Sequence, residues 1–244
     1  MVPEVNFAHG DIEMNADAPK CCVLKMGTVP YQDAWQLQDE LAAKRLIDEI
    51  PDTLLLLQHP PTLTLGRGAD RDNIVAEPTR LAAMGITVVE SNRGGDVTYH
   101  GPGQVVGYPI LRLDKPPYKQ DLHWYLRSLE ETLIVALADS GIEAGRFPGY
   151  TGVWTAPGKP ETLKIAAIGI RTSRWVTQHG FALNVTSNLS HFDLIVPCGI
   201  HDYGVTSVED WYRRIGARHT ANIEVMQGRI VAAFEQVFGV RCEE

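Results

Sequence analysis

An α+β fold with a largely antiparallel sheet is predicted by three features of the sequence. Strand-like and helix-like segments alternate irregularly, their connections are short and turn-like, and no regular crossover recurs as a doubly wound fold would require. Apolar residues at Ala34, Leu37, Leu41, Ala42, Leu46 and Ile50 make a helical stripe from Tyr31 that Pro51 is expected to end. Leu54–Gln58 and Thr62–Leu65 read as strands on either side of His59-Pro60-Pro61, the first buried on both faces, and Ile86–Glu90 as a third. Asp96–Tyr99 and Gln104–Ile110 flank His100-Gly101-Pro102-Gly103, which predicts a hairpin. Leu122, Leu126, Leu129, Leu133 and Leu137 recur at helical spacing up to Gly141. Lys164–Arg171 and Gln178–Val185 read as paired strands. Ile223, Met226, Ile230, Phe234 and Val237 form a last helical stripe that Gly239 stops. Between these, Thr206-x-x-Glu209 offers a capping box for a short helix in a small appendage over 206–218. Residues 1–20 are expected to be a flexible extension and residues 21–244 one domain.

The chain has 244 residues, a formal charge of −8, 44% hydrophobic and 21% charged residues, the make-up of an ordinary globular protein. No Lys/Arg run offers the clustered cations that phosphate tracking needs, so nucleic acid is not an expected partner. The apolar run Leu54–Leu57 is far too short to span a bilayer. Glu4, Asp11, Glu13 and Asp17 precede any apolar stretch, the reverse of a signal peptide, so the expected location is the cytoplasm. Four cysteines (Cys21, Cys22, Cys198, Cys242) are too sparse for a disulfide framework and match no zinc spacing.

Chemistry concentrates in two places. The run from Arg93 to Gln104 holds four glycines among Arg, Thr, Tyr and His, a backbone that lets a ligand approach closely. It is neither a Walker loop nor a dinucleotide fingerprint, because a strand follows it rather than a helix. Cys198 sits between Pro197 and Gly199, where a sulfur has room to be exposed. A thiol becomes a nucleophile near neutral pH only beside a cation or base. Lys164, opening an otherwise apolar strand, is the candidate partner; the plain alternative is a solvated strand-end lysine and a structural cysteine. A cysteine-protease-like set of Cys198, His179 or His201, and Asn184 lacks the local signature of such enzymes, and Cys198-x-x-His201 is only half a metal site.

These blocks, together with Lys164-Ile165-Ala166-Ala167-Ile168-Gly169, His179-Gly180-Phe181-Ala182-Leu183-Asn184 and Pro197-Cys198-Gly199, resemble the lipoyl(octanoyl) transferase family in their order along the chain. The resemblance spans Cys22 to Phe238 and leaves out the N-terminal extension and the insert Ala156-Pro157-Gly158-Lys159-Pro160. It implies a fold similar to the catalytic domains of biotin and lipoate protein ligases. It further implies transfer of an octanoyl group from octanoyl-acyl carrier protein to a lysine of lipoyl domains. The acceptors it implies belong to 2-oxoacid dehydrogenase complexes and to the glycine cleavage H protein, and no cofactor, metal or membrane is involved. By the same resemblance Cys198 is the acyl-thioester nucleophile and Lys164 lowers its pKa. Arg93, Gly94, Gly95, Asp96, Val97, Thr98, Tyr99 and His100 are implied substrate-binding residues, with Ala167, Ile168, Gly169, Gly180, Phe181 and Ala182.

Exchanging a thioester for a thioester and then for an amide runs downhill, so the missing nucleotide loop fits transfer better than ATP-driven ligation. Gly169 and Gly199 are candidate sources of backbone donors for the developing oxyanion. An octanoyl chain gains about 0.8 kcal/mol per buried CH₂, and Ala166, Ala167, Gly169 and Ala182 would leave a slot for it. Arg93, Arg171 and Arg174 are candidate contacts for an acidic carrier protein. The rival functions are an ATP-dependent lipoate or biotin ligase and a non-catalytic acyl-binding module.

Overall fold

Four consecutive leucines, Leu54 to Leu57, are fully buried, which a strand achieves only with a packed layer on each face. The computed structural model describes residues 18–196 and 203–244 and supplies both layers. Along the described residues run β1 (Lys20–Thr28), α1 (Tyr31–Leu46), β2 (Asp52–Gln58), β3 (Thr62–Leu65), α2 (Pro78–Ala83), β4 (Thr87–Glu90), β5 (Val97–His100) and β6 (Gln104–Ile110). They continue with α3 (Leu122–Ala138), β7 (Ala144–Phe147), β8 (Tyr150–Thr155), β9 (Leu163–Ser173), β10 (Val176–Asn184), α4 (Val208–Arg214), α5 (Ile223–Phe238) and β11 (Arg241–Glu243). The large sheet has the order β11-β1-β2-β6-β10-β9-β8-β7, and a smaller one the order β4-β3-β5. β1 runs parallel to β2 and β11, and every pairing from β2 through to β7 is antiparallel.

The alternation of β2 divides its leucines between the two layers. Leu54 and Leu56 pack with Leu129 and Leu133 of α3 and Phe234 of α5, whereas Leu55 and Leu57 pack with Ala34 of α1 and Tyr108 of β6. Helices α3 and α5 begin on side-chain caps: Asp121 accepts from the His123 and Trp124 amides, and Asn222 from the Val225 amide. Gly239, at φ 65°, closes α5 in the left-handed conformation that the sequence anticipates.

Three sequence expectations change in the fold. The run Asp96–Ile110 is not a hairpin: β5 pairs with β3 in the small sheet, while β6 lies between β2 and β10 in the large one. The Gly101-Pro102-Gly103 turn hands the chain from one sheet to the other, with the Gly103 carbonyl accepting from the Val185 and Thr186 amides. Helix α1 ends at Leu46, short of Pro51, because Asp48 turns the chain at φ 59° and holds Arg45, Arg112 and Lys115 in ion pairs. The 206–218 segment is no appendage, since Val208 and Tyr212 of α4 are buried in the main core. Its cap is Ser207, which accepts from the Asp210 amide; Thr206 instead donates to the Asp210 carboxylate. Of the expected extension over residues 1–20, residues 1–17 lie outside the described residues, and Lys20 already belongs to β1. No helix among those described is long and apolar enough to cross a membrane.

Asp52 is a buried anchor between layers. It accepts from Arg45 Nε at 2.6 Å and from the Tyr118 hydroxyl at 2.7 Å. Removing it strips a buried guanidinium of its inner partner, and such losses cost about 3 kcal/mol or more. Asp52→Ala is therefore expected to lose about 3 kcal/mol in urea unfolding with little change in the slope of the transition.

Candidate active site

The hairpin of β9 and β10 forms one wall of a cavity of about 720 Å³. Its register pairs Gly169 with Gly180, Ile168 with Phe181 and Ala167 with Ala182, and all six face or border the cavity. The opposite wall is the run that precedes and enters β5: Arg93, Gly94, Gly95, Asp96, Thr98 and His100. Leu126 of α3 and Tyr150 and Thr151 of β8 complete an interior that is largely apolar, with Lys164 at its edge. Ala166, expected in the acyl slot, is buried in the main core instead.

Strand alternation sorts β5. Thr98 and His100 line the cavity, while Val97 and Tyr99 pack into the small sheet's own core with Leu63 and Phe192. The side chains of Val97 and Tyr99 are thus not brought to the cavity; the Tyr99 hydroxyl is bonded to His191 at 2.6 Å. Arg93 is buried and directed back at its own scaffold. Its Nε donates to Thr64 Oγ1, Nη2 to the Thr64 carbonyl at 2.6 Å and Nη1 to the Gly94 carbonyl at 3.0 Å. Asp96 likewise organises the loop, accepting from the Asp70 and Val97 amides and from the Asn73 side chain.

The loop docks on β9 backbone to backbone. The Gly94 amide donates to the Ile170 carbonyl at 2.9 Å, and a Cβ on Gly169 would come within 2.8 Å of the Gly94 carbonyl oxygen. Glycine is needed at 169 because the loop backbone approaches too closely for a side chain, and a Cβ on Gly94 would be tight at 3.1 Å from the Ile170 carbonyl oxygen. Arg171 is turned to Gln178, and Arg174 forms the β9–β10 turn with Trp175 at positive φ.

Behind Arg93 lies a cluster that the sequence patterns did not reveal. Tyr31 of α1 packs its ring near His59, His100 and His179 at centroid distances of 5.1, 5.8 and 6.5 Å. His59 donates from Nδ1 to the Val29 carbonyl at 2.6 Å, which leaves Nε2 to accept from the Tyr108 hydroxyl at 2.7 Å. Gln104 gives its amide nitrogen to the Tyr99 carbonyl and to Asn184, so its oxygen receives the Nδ1 proton of His100. His179 takes a left-handed backbone at φ 55°, which sends its amide to Gln38 of α1 and its Nε2 to Asn92 Oδ1. Burial pushes His59 down to about 4, and burial with the nearby charges of Arg93 and Arg171 pushes His179 down to about 3. His100 is also held well below the ordinary imidazole value, chiefly by burial. Three histidines scattered over 120 residues carry no shared spacing, so only the fold unites them.

Lys164 is buried in β9, with its ammonium 5.3 Å from the ring centroid of Trp154. Its amide donates to the Gly204 carbonyl at 3.0 Å, and its carbonyl accepts from the Thr206 amide at 2.9 Å. Cys198, with Pro197, Gly199 and His201, lies outside the described residues. The neighbouring described stretches are anchored. The Val196 amide donates to the Asn73 carbonyl at 2.7 Å, and the segment from Tyr203 runs past Lys164. Asn184, a member of the protease-like alternative, spends its amide on Gln104 and the Thr206 carbonyl. Among the described residues no group of three or more His, Cys, Asp and Glu side chains is arranged to hold a metal.

Residues 30–235 match the model of the lipoyl protein ligase A/B catalytic domain. A curated octanoyltransferase of Gloeobacter violaceus is 47% identical over 229 residues, covering 92% of this chain and 93% of the relative. The chain belongs to the octanoyltransferase family. A second curated octanoyltransferase, from Rubrobacter xylanophilus, is 50% identical over 215 residues, 87% of this chain and 91% of that one. This octanoyltransferase family member is accordingly an acyltransferase. Its architecture superposes on the bi-partite lipoate protein ligase of Thermoplasma acidophilum with a TM-score of 0.70, over 93% of this chain and 86% of that one. At 16% identity that likeness concerns the fold alone.

Two outcomes follow for the acyltransferase. Gly169→Ala is expected to displace the Arg93–Asp96 loop and to cut transfer by about 100-fold, the order of loss that a misplacement near 1 Å causes, measured as turnover beside a thermal melt. The buried histidines set a pH dependence of stability. Unfolded imidazoles near 6.5 bind protons that the folded rings refuse. Stability is therefore complete above about pH 6.5 and is lost as pH falls toward the folded values near 4 and 3. Each ring contributes a slope of about 1.4 kcal/mol per pH unit in that window. Urea unfolding followed from pH 7 to pH 5 is expected to show this fall, and His59→Gln to flatten it by about one proton.

Proposed function

We propose that this acyltransferase moves an octanoyl group from octanoyl-acyl carrier protein to a lysine of a lipoyl domain, through a thioester on Cys198. The observation that carries the reading is Lys164: a buried lysine at the edge of an otherwise largely apolar cavity, whose strand is hydrogen-bonded to Gly204 and Thr206, just downstream of Cys198 in the chain. In the first half-reaction the Cys198 thiolate attacks the carrier thioester carbonyl. The new C–S bond replaces the old one, and the carrier thiolate leaves and takes up a proton from the Lys164 ammonium. In the second, the acceptor lysine's amine forms the C–N bond, the bond to Cys198 breaks, and the amine's proton returns to the Cys198–Lys164 pair.

Ala167, Gly169 and Ala182 leave the wall low enough for an alkyl chain, and Ile168, Phe181 and Leu126 give it apolar contact. The glycine-rich run enters β5, a strand, so the phosphate-binding arrangement of a loop opening a helix does not form there. The octanoyltransferase relatives favour transfer from a ready-made thioester over ATP-driven activation. In this reading residues 21–244 act as one catalytic domain in the cytoplasm, and the acceptors are lipoyl domains of 2-oxoacid dehydrogenase complexes and the glycine cleavage H protein.

Mass spectrometry tests the scheme directly. The protein mixed with octanoyl-acyl carrier protein and an apo lipoyl domain, without ATP, is expected to add one octanoyl group to the lipoyl domain. Omitting the acceptor is expected to leave the adduct on Cys198, Cys198→Ser to abolish both products, and Lys164→Ala to slow acylation by about 10²-fold or more. Strict dependence on ATP, or transfer undiminished in Cys198→Ser, refutes it.

A further inference from the structure

We propose that Trp154 is a positioning residue for the Lys164 amine, its indole face favouring the ammonium that supports a thiolate at Cys198. The proposal rests on the Cys198–Lys164 reading above and concerns how the fold prepares the lysine for that role.

The sheet itself is altered to make this contact. β8 pairs with β9 at Val153 opposite Ala166 and at Trp154 opposite Lys164, so Ile165 has no partner of its own and the register shifts by one residue. Such bulges re-aim side chains beside active sites. Here the shift puts Trp154 and Lys164 directly across from one another, where cross-strand neighbours share a face and touch. Gly152, two residues before Trp154, takes φ +118°, and a Cβ there would lie 2.8 Å from Lys164 Cε and 2.5 Å from the Ala166 carbonyl oxygen. The lysine stem thus passes over a backbone kept bare for it. The Gly152 amide is fixed in turn by Glu130 Oε1 at 3.1 Å, a fully buried carboxylate of α3.

The ring is immobilised as well. Trp154 is fully buried among Phe147, Tyr150 and Tyr203, with centroids 5.4, 5.6 and 5.8 Å away. Its indole N–H has no hydrogen-bond acceptor among the described residues. A buried donor left without an acceptor is costly, and a phenylalanine would avoid the cost. Indole gives the strongest π face of the aromatic side chains, and a desolvated cation gains most from it. The unpartnered N–H and the ammonium over the ring therefore have one explanation: the residue is used for its face.

Among the ionisable groups on the elements packed around this stretch, Glu131 of α3 pairs with Arg146 of β7 at 2.7 Å. Glu130 is engaged by Arg127 at 2.6 Å and by Arg146 at 3.1 Å, and the phenols of Tyr150 and Tyr203 belong to the ring cluster.

The test replaces Trp154 site-specifically with tryptophans carrying one to four ring fluorines, which drain the π face while keeping its shape. The rate of iodoacetamide alkylation at the Cys198 peptide is followed against pH for each variant, beside Trp154→Phe and Lys164→Ala. The apparent thiol pKa is expected to rise stepwise with fluorination by about half a unit to one unit in all. Octanoyl-adduct formation at pH 7 is expected to fall about three- to tenfold in parallel, while thermal melts stay close to that of the native protein and Trp154→Phe falls within the series. A purely structural tryptophan would leave the pH profile in place. A profile that Lys164→Ala moves and fluorination does not overturns the role of Trp154 alone. A profile indifferent to Lys164→Ala overturns the Cys198–Lys164 reading and this inference with it.

Discussion

Backbone touching backbone is the constraint on which the cavity depends. The loop from Arg93 to Asp96 reaches β9 only because Gly94 and Gly169 carry no Cβ at the point of contact, and the Gly94–Ile170 hydrogen bond locks the approach. Gly66, just after β3, opens the same space, since a Cβ there would collide with the Gly95 carbonyl oxygen and fall 2.8 Å from Arg93 Nη1. Arg93 then fastens the loop to Thr64 with several donors at once. A guanidinium used this way is a structural rivet that also lines the cavity wall. The glycine-rich run thereby makes one wall of the site.

The buried imidazoles extend the same logic to electrostatics. Tautomers of His59 and His100 are fixed by a carbonyl and by an oriented amide, so neither ring needs a proton from solvent. Keeping these rings neutral beside Arg93 avoids stacking like charges in a dry interior. For acyl transfer a dry interior has a specific merit. A thioester is already activated, and the reaction it must be protected from is hydrolysis. On the proposed reading the site's task is to exclude water and present an amine near the sulfur, for which an apolar wall and a neutral cluster are suited.

What was legible in the sequence was local chemistry; what was not was pairing across the fold. The continuous leucine run of β2 and the stripes of α3 and α5 report burial directly, because side-chain period and packing are the same information. The turn after His100 is visible as Gly-Pro-Gly, yet nothing local says which strand each arm will join, and the arms part to different sheets. The β7–β8 hairpin escaped notice because Gly145, Gly149 and Gly152 interrupt any alternation, although Gly152 is where the lysine stem needs space. Motif resemblance reached most of the cavity wall but could not separate Thr98 and His100 from Val97 and Tyr99. Strand geometry did that. Tyr31, Tyr108 and His59 had no signal short of the assembled structure, and nothing in the sequence joined His100 and His179 to them.

A fold shared with a lipoate ligase at 16% identity says nothing about where the free energy of amide formation comes from. The chain must carry that information in particular residues. A ligase has to hold a nucleotide and an acid together; the transfer proposed above needs a slot for the acyl chain, a thiol and an amine that sets the thiol's charge. Here the strand that supplies Ala167 and Gly169 to the slot also supplies Lys164, three to five residues earlier on the same element. A bulge in that strand's partnership turns an indole toward the amine rather than smoothing the sheet. Rigid β-structure is where a proton-transfer distance can be kept constant while the acyl chain comes and goes. On the proposed reading the slot and the base share one strand, so a change that shifts β9 would alter chain binding and thiol chemistry together.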